Sequence, residues 1–292
     1  MSLIGSLSSG VTGLQTFSKD LEVIGNNIAN VNTTAFKSST LAFSENFSNT
    51  LRSSQPATAN TSNVLAAQIG TGVQFSGVNT NYNQGALTST GQATDVGISG
   101  EGYFIVRDAS QPGSTDLTNS LAYATRVGNF RWDDKGFLVN QQGMRVQDVT
   151  GVDIVQTPPP AGASLQSVSI NRAGKVIEFF TDGTDNSADP LQQQIGLMTF
   201  PQQGALMNKG NGLFDGFAAA GVTTPLTLTL ATNAAGTNAL GTLESGTLEQ
   251  SNVDLTSEFA NMITAQRSFQ ANARVVTVSD SVLDDVVNLK RS

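Results

Sequence analysis

The chain of 292 residues is long enough to bury a hydrophobic core without covalent cross-links, and it contains neither cysteine nor histidine. The absence of both residue types excludes disulfides, thiol nucleophiles, histidine general bases and the usual zinc ligands. Charged residues make up only 13% of the chain, the net charge is −8, and there is no run of Lys or Arg that could follow a phosphate backbone. Nucleic acids and anionic lipid surfaces are therefore disfavoured as partners.

The N-terminal sequence and the hydropathy pattern argue against membrane targeting. The first ten residues lack a basic region followed by a long apolar core, and no window resembles a transmembrane span. We expect neither a cleaved signal peptide nor insertion into a lipid bilayer. If the protein is exported, a dedicated machine must recognise it.

The first predicted element is a helix over residues 3–31. Its apolar residues recur at alternating spacings of four and three, which is the pattern of a helix that packs lengthwise along another helix. Gly5, Gly10 and Gly13 each cost about 1 kcal/mol relative to alanine, so we expect packing to order this helix. The apolar positions of this seam are Leu3, Leu7, Leu14, Phe17, Leu21, Ile24 and Ile28.

Residues 38–71 are predicted to form a polar connector, because most of this stretch is low in complexity and shows no sustained period. From residue 72 to residue 250, short apolar or alternating runs are separated by Gly, Asn and Asp, which predicts an antiparallel β domain. Within it, residues 133–136 and 171–174 are predicted hairpin turns. Residues 218–242, with the alternating Leu226, Leu228 and Leu230, are predicted to be a loop or an edge ribbon.

A second long helix is predicted over residues 251–292. Ser251 and Asp254 resemble a capping box at its start. The same alternating spacing continues through it, interrupted by Gln266 and Asp280. The apolar positions of this second seam are Leu255, Phe259, Met262, Phe269, Val276, Leu283 and Val287.

The two seams allow two interpretations. The helices could pair with each other in a monomer, or they could pack against other copies of the chain. Both helices carry more apolar surface than one narrow stripe needs, as Val275, Val278, Val282 and Val286 show for the second helix. Surplus apolar surface of this kind favours intermolecular packing.

Carboxylates are the remaining candidates for catalytic or metal-binding chemistry. Asp133 and Asp134 lie in a predicted hairpin turn, where Asp serves backbone hydrogen bonding, and no base, nucleophile and orienting group accompany them. Four side chains could ligate calcium, although turn chemistry explains their spacing equally well: Asp182, Asp185, Asn186 and Asp189. We therefore expect no catalytic residue, no metal site and no cofactor.

Two blocks near the chain ends resemble the signatures of the bacterial flagellar rod and hook axial proteins. The N-terminal block covers residues 26–37, NNIANVNTTAFK, and the C-terminal block covers residues 261–272, NMITAQRSFQAN. Residues 68–73 and 95–104 also resemble blocks of this family, so the resemblance spans nearly the whole chain in the same order. The signature residues are Asn26, Asn27, Asn30, Asn32, Phe36, Lys37, Asn261, Gln266, Arg267 and Asn272.

The resemblance implies an α+β fold in which long N- and C-terminal helices form a coiled-coil-like inner domain and a central antiparallel all-β domain forms an outer layer. The expected divisions are residues 1–37 with 251–292, the connector 38–71, and residues 72–250. The implied function is that of a structural subunit, not an enzyme. It would assemble into a helical tube around the flagellar export channel after secretion through the type III export apparatus.

Within this family, the Asn-rich block and the C-terminal residues favour the hook protein, a tubular universal joint that transmits torque. The chain length is closer to that of the distal rod, which is the alternative. The implied partners are other copies of the chain, the rod, hook and junction proteins, the hook cap and the export apparatus. A secreted adhesive β protein with a coiled-coil stalk is the alternative from another class.

Overall fold

A computed structural model describes residues 2–57, 62–108, 122–160, 162–186, 193–222, 233–237 and 240–289, with the side chains of residues 2–4 and 289 outside the description. The chain divides into two compact units. The helical unit comprises Met1–Val31, Ser38–Asn81 and Val253–Ser292, and the β unit comprises Asn32–Lys37 and Tyr82–Asn252. Each unit is therefore built from segments that are distant in the sequence.

The helical unit contains the two predicted helices and, between them in sequence, four strands in its described part. Helix α1 spans Ser2–Ala29 and helix α2 spans Leu255–Leu289, about 42 and 52 Å long respectively at 1.5 Å per residue. The strands are β1 Ser39–Glu45, β2 Ser48–Arg52, β3 Ala67–Gly70 and β4 Val73–Thr80. Strand β1 pairs antiparallel with β4, and β2 pairs antiparallel with β3.

These strands differ from the polar connector predicted over residues 38–71. Strand β1 lies against α1, where the rings of Phe43 and Phe17 have centroids 5.5 Å apart. Every residue of β2 is exposed, so this ribbon has no buried face that would impose an alternation of apolar and polar residues. Backbone pairing therefore forms strands that the hydrophobic pattern alone does not indicate.

Helices α1 and α2 pack side by side in antiparallel directions. The hydroxyl oxygens of Ser6 and Ser279 lie 3.3 Å apart near one end of the pair. Near the other end, the side-chain amide of Asn27 donates to Glu258 at 3.2 Å. The start of α1 thus lies beside the end of α2. The helices pair within a single chain, which is the interpretation that the sequence favoured less.

Asp254 caps the N-terminus of α2, whereas the predicted capping box would place the cap three residues earlier, at Ser251. The carboxylate of Asp254 accepts hydrogen bonds from the N–H of Thr256 at 2.9 Å and from the hydroxyl of Ser257 at 3.1 Å. These bonds, that from the Thr256 N–H foremost, lower the pKa of Asp254 from its ordinary value. Asp254 is therefore the N-cap itself, one residue before the helix begins.

The β unit is antiparallel throughout its described residues, as predicted. Its strands are β5 Leu87–Ser89, β6 Val96–Ser99, β7 Tyr103–Arg107, β8 Ala122–Thr125, β9 Arg131–Trp132, β10 Leu138–Val139, β11 Arg145–Val146, β12 Leu165–Ile170, β13 Val176–Phe180, β14 Leu197–Met198, β15 Met207–Gly210, β16 Leu213–Asp215, β17 Thr242–Ser245 and β18 Thr247–Glu249. The largest sheet runs in the order β15-β16-β8-β7-β11-β10-β9, and β14 pairs with β7 as well. Strands β12 and β13, β6 and β17, and β5 and β18 form separate pairs.

The core of the β unit is organised around β7, whose five residues are all buried. The rings of Phe104 and Phe130 meet edge to face with centroids 5.1 Å apart. The turn that leads from β6 into β7 needs glycine at Gly100, because its φ of 112° disfavours other residues and a Cβ there would lie 3.0 Å from Gly241. This turn belongs to the family block at residues 95–104.

The two predicted hairpin turns are confirmed. Residues 133–136 join β9 to β10, with the N–H of Gly136 donating to the carbonyl of Asp133 at 2.8 Å. Residues 171–174 join β12 to β13. The predicted ribbon at Leu226, Leu228 and Leu230 lies outside the described residues.

The core of the β unit also contains a buried ion cluster. The carboxylate of Asp153 accepts hydrogen bonds from Arg107 at 2.7 Å, Gln147 at 2.7 Å and Arg145 at 2.9 Å. Arg107 is completely buried and Asp153 is only 7% exposed. Burial opposes ionisation of Asp153, but these hydrogen bonds outweigh it and lower the pKa of the carboxyl.

Candidate assembly surfaces

The buried face of α2 agrees with the predicted seam at some positions and is shifted by one residue at the others. Met262, Val276 and Leu283 are half-buried, as a seam requires. At the remaining seam positions, the covered residue is the one immediately before the predicted residue. These covered residues recur every seventh position. They are Glu258, Ala265, Asn272 and Ser279.

The shift follows from glycines in α1. A Cβ added at Gly13 would lie 2.9 Å from the side chain of Asn272, and one added at Gly10 would lie 3.0 Å from Val276. Asn272 and Val276 on α2 therefore face glycines on α1, and the two backbones can approach closely. Two of the three glycines that weaken α1 as an isolated helix, Gly10 and Gly13, thus permit this contact.

Gly13→Met is expected to weaken the helix pair by about 1–3 kcal/mol through overpacking against Asn272. Gly25→Met provides the matched control, because a Cβ at Gly25 meets no atom within 4 Å and the same substitution raises helix propensity. Hydrogen exchange of the α1 and α2 amides measures the effect. Equal protection in the two variants would contradict a close approach at Gly13.

The seam residues predicted for assembly divide into two groups. In α1, Ile24 is buried, and Leu7, Leu14, Phe17, Leu21 and Ile28 are half-buried. In α2, Leu255, Phe259, Phe269 and Val287 remain exposed by 36% to 59%. The side chain of Leu3 lies outside the described part of the chain. A single copy thus covers α1 more completely than α2.

Two exposed apolar stripes lie on α2. One consists of Leu255, Phe259 and Ile263, which share a face because they are spaced by four residues. The other consists of Val275, Val278, Val282 and Val286. We call these the first and second apolar stripes. Their side chains remain exposed by 37% to 61% in a single copy, so each stripe presents apolar surface to another molecule.

A cleft in the helical unit lies beside this uncovered surface. It has a volume of about 730 Å³ and lies between α1, β4 and the middle of α2. Phe75 and Phe269, both partly exposed, contribute its apolar wall, while Lys19 and Glu22 lie at the α1 side. Lys19 and Glu22 form an exposed ion pair at 2.8 Å.

The signature residues serve different structural purposes. Asn27 is buried and Asn272 is half-buried at the helix pair, whereas Asn261, Gln266 and Arg267 are exposed on α2. The side chain of Asn30 donates to the carbonyl oxygen of Asn26 at 2.9 Å, one turn earlier in the chain. Asn32 is exposed, and the carbonyl of Phe36 accepts from the N–H of Asn252 at 3.3 Å.

Lys37 belongs to a second buried ion cluster within the β unit. Its ammonium donates to the carboxylate of Glu249 at 2.6 Å and to the carbonyl of Asn83 at 2.8 Å. Arg126 lies 3.3 Å from the other oxygen of Glu249 and also donates to the carbonyl of Gly100. Burial lowers the pKa of Lys37, and the Glu249 carboxylate opposes that shift. The signature lysine therefore stabilises the fold internally.

The carboxylates weighed as catalytic or metal-binding groups lie in turns. Asp133 and Asp134 are exposed in the hairpin between β9 and β10. Asp182 accepts hydrogen bonds from the hydroxyl and the N–H of Thr184, which lower its pKa. Asp189 lies outside the described residues. Turn chemistry accounts for the bonds of Asp182.

Within the described residues, neither helix combines the length and apolar content needed to cross a bilayer.

Comparison with protein families matches three segments of the chain. Residues 7–37 match the model for flagella basal body rod proteins, residues 97–178 match the flagellar hook protein FlgE/F/G D1 domain, and residues 244–289 match the C-terminal region of flagellar basal body rod FlgEFG proteins. The first and the last of these segments contain the N- and C-terminal signature blocks, residues 26–37 and 261–272.

Individual relatives match over much longer segments. The chain is 38% identical over 289 residues to the flagellar basal-body rod protein FlgG of Bacillus subtilis, covering 99% of this chain and all of that protein. It is 31% identical over 294 residues to FlgG of Borreliella burgdorferi, covering 100% and 99%. A 37% identity to the flagellar hook protein FlgE of Treponema pallidum extends over 153 residues, 52% of this chain and 31% of that protein.

The fold and these matches define a structural subunit of a bacterial flagellar axial assembly, not an enzyme. The chain belongs to the family of flagellar basal-body rod and hook proteins. The predicted resemblance is therefore confirmed, and the protein functions in the flagellum together with other flagellar proteins. The predicted preference for the hook over the rod is not supported, and neither is the adhesive alternative.

Proposed function

We propose that this chain is a distal-rod subunit of the flagellar basal body. The observation that carries the proposal is the full-length match to rod proteins named FlgG, in which chain and relative cover each other almost completely. The hook relative is matched over only 31% of its length, so most of that protein has no counterpart here. The hook function predicted from the N-terminal asparagines and the C-terminal residues becomes the second candidate.

The proposed mechanism is polymerisation through the terminal helices. In a helical tube, the first and second apolar stripes of α2 would pack against neighbouring copies, so each subunit would bury surface that it exposes alone. The helical unit would form the inner wall around the export channel, with helices packed in a coiled-coil-like manner, and the β unit the outer layer. The seam residues of both helices are proposed to contribute to this wall.

Several expectations from the sequence remain proposals. The division into residues 1–37 with 251–292, residues 38–71 and residues 72–250 is proposed to describe the assembled subunit. The proposed partners are further copies, neighbouring rod and hook or junction proteins, and the type III export apparatus, which would secrete the chain without cleavage of a signal peptide. The hook cap is a proposed partner under the hook alternative.

Electron microscopy of the purified full-length protein at increasing concentration tests this function. Straight, rigid tubes are expected from a rod subunit, and curved tubes would favour the hook instead. A truncated chain without residues 1–31 and 253–292 is the control and is expected to remain soluble. A full-length protein that stays monomeric at all concentrations, with both helices protected from hydrogen exchange, would overturn the assembly mechanism.

A further inference from the structure

Three segments of the helical unit meet at one buried side chain, Asn27 near the end of α1. Its amide nitrogen donates to the carbonyl of Ser39 at 2.8 Å and to the carboxylate of Glu258 at 3.2 Å. Its amide oxygen accepts from the N–H of Ser39 at 3.0 Å. Asn27 is 1% exposed and Glu258 is 7% exposed, so water does not compete for these bonds.

Each partner of Asn27 lies at the start of an element. Ser39 is the first residue of β1, where it pairs with Thr80, the last residue of β4. Glu258 lies in the first turn of α2, where the helix dipole favours a negative charge. Asn27 therefore contacts the point at which the β1–β4 hairpin begins and the point at which α2 begins.

The chemistry of this site fits a carboxamide of this length. The side-chain amide of Asn27 bonds the N–H and the C=O of Ser39, as the backbone of a neighbouring strand would. The second hydrogen of the amide nitrogen donates to Glu258. Aspartate offers no donor, and glutamine is longer by one methylene. Asn26, the adjacent signature residue, is exposed, and its side-chain oxygen accepts from the side chain of Asn30 at 3.0 Å.

We propose that Asn27, Ser39 and Glu258 form a clasp that sets the register of α1 against α2 and ties that register to the β1–β4 hairpin. The two helices and the hairpin then keep one fixed arrangement when a subunit joins the assembly. Asn27 is a positioning residue, because it acts through the elements that it aligns. The inference deepens the proposed function. It rests on that function only because its test measures the assembly of tubes.

A set of variants of the full chain isolates the clasp. Asn27→Asp keeps the shape and the acceptor for the Ser39 N–H, but it replaces the donor with an oxygen that faces the Ser39 carbonyl and the Glu258 carboxylate. Glu258→Gln keeps an acceptor for Asn27. In the double variant N27D/E258Q, the amide introduced at position 258 can donate to the carboxylate introduced at position 27. Asn30→Asp makes the same chemical change at the end of the helix, where the hydrogen bonds of Asn30 are exposed.

The concentration at which each variant forms sedimentable tubes is the first measurement. Asn27→Asp is expected to raise it at least about tenfold, whereas Glu258→Gln and Asn30→Asp change it less than about threefold. The double variant is expected to recover part of the loss, because it restores the contact at position 258 but not the bond to the Ser39 carbonyl. A general destabilisation would not permit this recovery. Fluorescence of Trp132, the single tryptophan, reports separately that the β unit is folded.

The outcomes separate the clasp from the proposed function. Tubes from Asn27→Asp at the concentration that suffices for Asn30→Asp would overturn the clasp, as would a double variant no better than Asn27→Asp alone. If the unmodified chain forms no tubes, the proposed assembly is wrong. The same variants are then compared by hydrogen exchange of α1, α2 and β1 in the monomer, where equal protection would again overturn the clasp.

Discussion

Replacing both Phe259 and Ile263 with glutamate is expected to raise sharply the concentration needed for tube formation while leaving the chain folded. These residues of the first apolar stripe are 50% and 52% exposed in a single copy. Covering the exposed half of each side chain in a neighbouring subunit contributes about 1 kcal/mol, and burying an unpaired carboxylate in its place costs more than that. Together the two changes raise the concentration needed for assembly by at least about 100-fold.

A matched pair on the same helix controls for added charge. Ala260 and Thr264 have the same spacing of four residues and are also exposed, but they lie outside the stripe. Glutamate at these two positions removes no large apolar side chain and is expected to reduce assembly much less. Sedimentation and electron microscopy compare the two double variants. If both fail equally, charge repulsion rather than the first apolar stripe explains the loss.

The elements with strong local patterns could be predicted from the sequence. Both long helices follow from their repeating apolar positions, and the hairpins at residues 133–136 and 171–174 follow from their turn residues. The β2–β3 ribbon could not be predicted in this way, because both of its faces are largely exposed. Its strands depend on backbone pairing between distant residues, which leaves no period in the sequence.

The packing of the helix pair was only half predictable. An apolar heptad walk selects large side chains, but the contact between α1 and α2 uses Gly10 and Gly13 opposite Asn272 and Val276. Glycines that count against a helix in isolation become favourable where two backbones approach. The resemblance identified Asn27 as a signature residue, but its partner Glu258 is 231 residues away in the chain, so the clasp needed the structure.

Asp153→Ala is expected to destabilise the β unit by about 3–5 kcal/mol, because it removes the carboxylate that faces the completely buried Arg107. Arg145 and Gln147 lose their hydrogen bonds to the same carboxylate. Asp134→Ala is the control, since that carboxylate is exposed in a turn, and its effect should stay within about 0.5 kcal/mol. Urea unfolding followed by Trp132 fluorescence measures both variants.

The same carboxylate predicts how the stability of the β unit depends on pH. The hydrogen bonds to Asp153 lower its pKa in the folded state, so its contribution is fully present above the unfolded value of about 4. The contribution is lost as the pH falls through the lower, folded value. The unmodified β unit should therefore lose stability below about pH 4 more steeply than Asp153→Ala does. If stability falls with pH in parallel for the unmodified protein and Asp153→Ala, other carboxylates cause the acid sensitivity. The cluster around Arg107 would then contribute little to it.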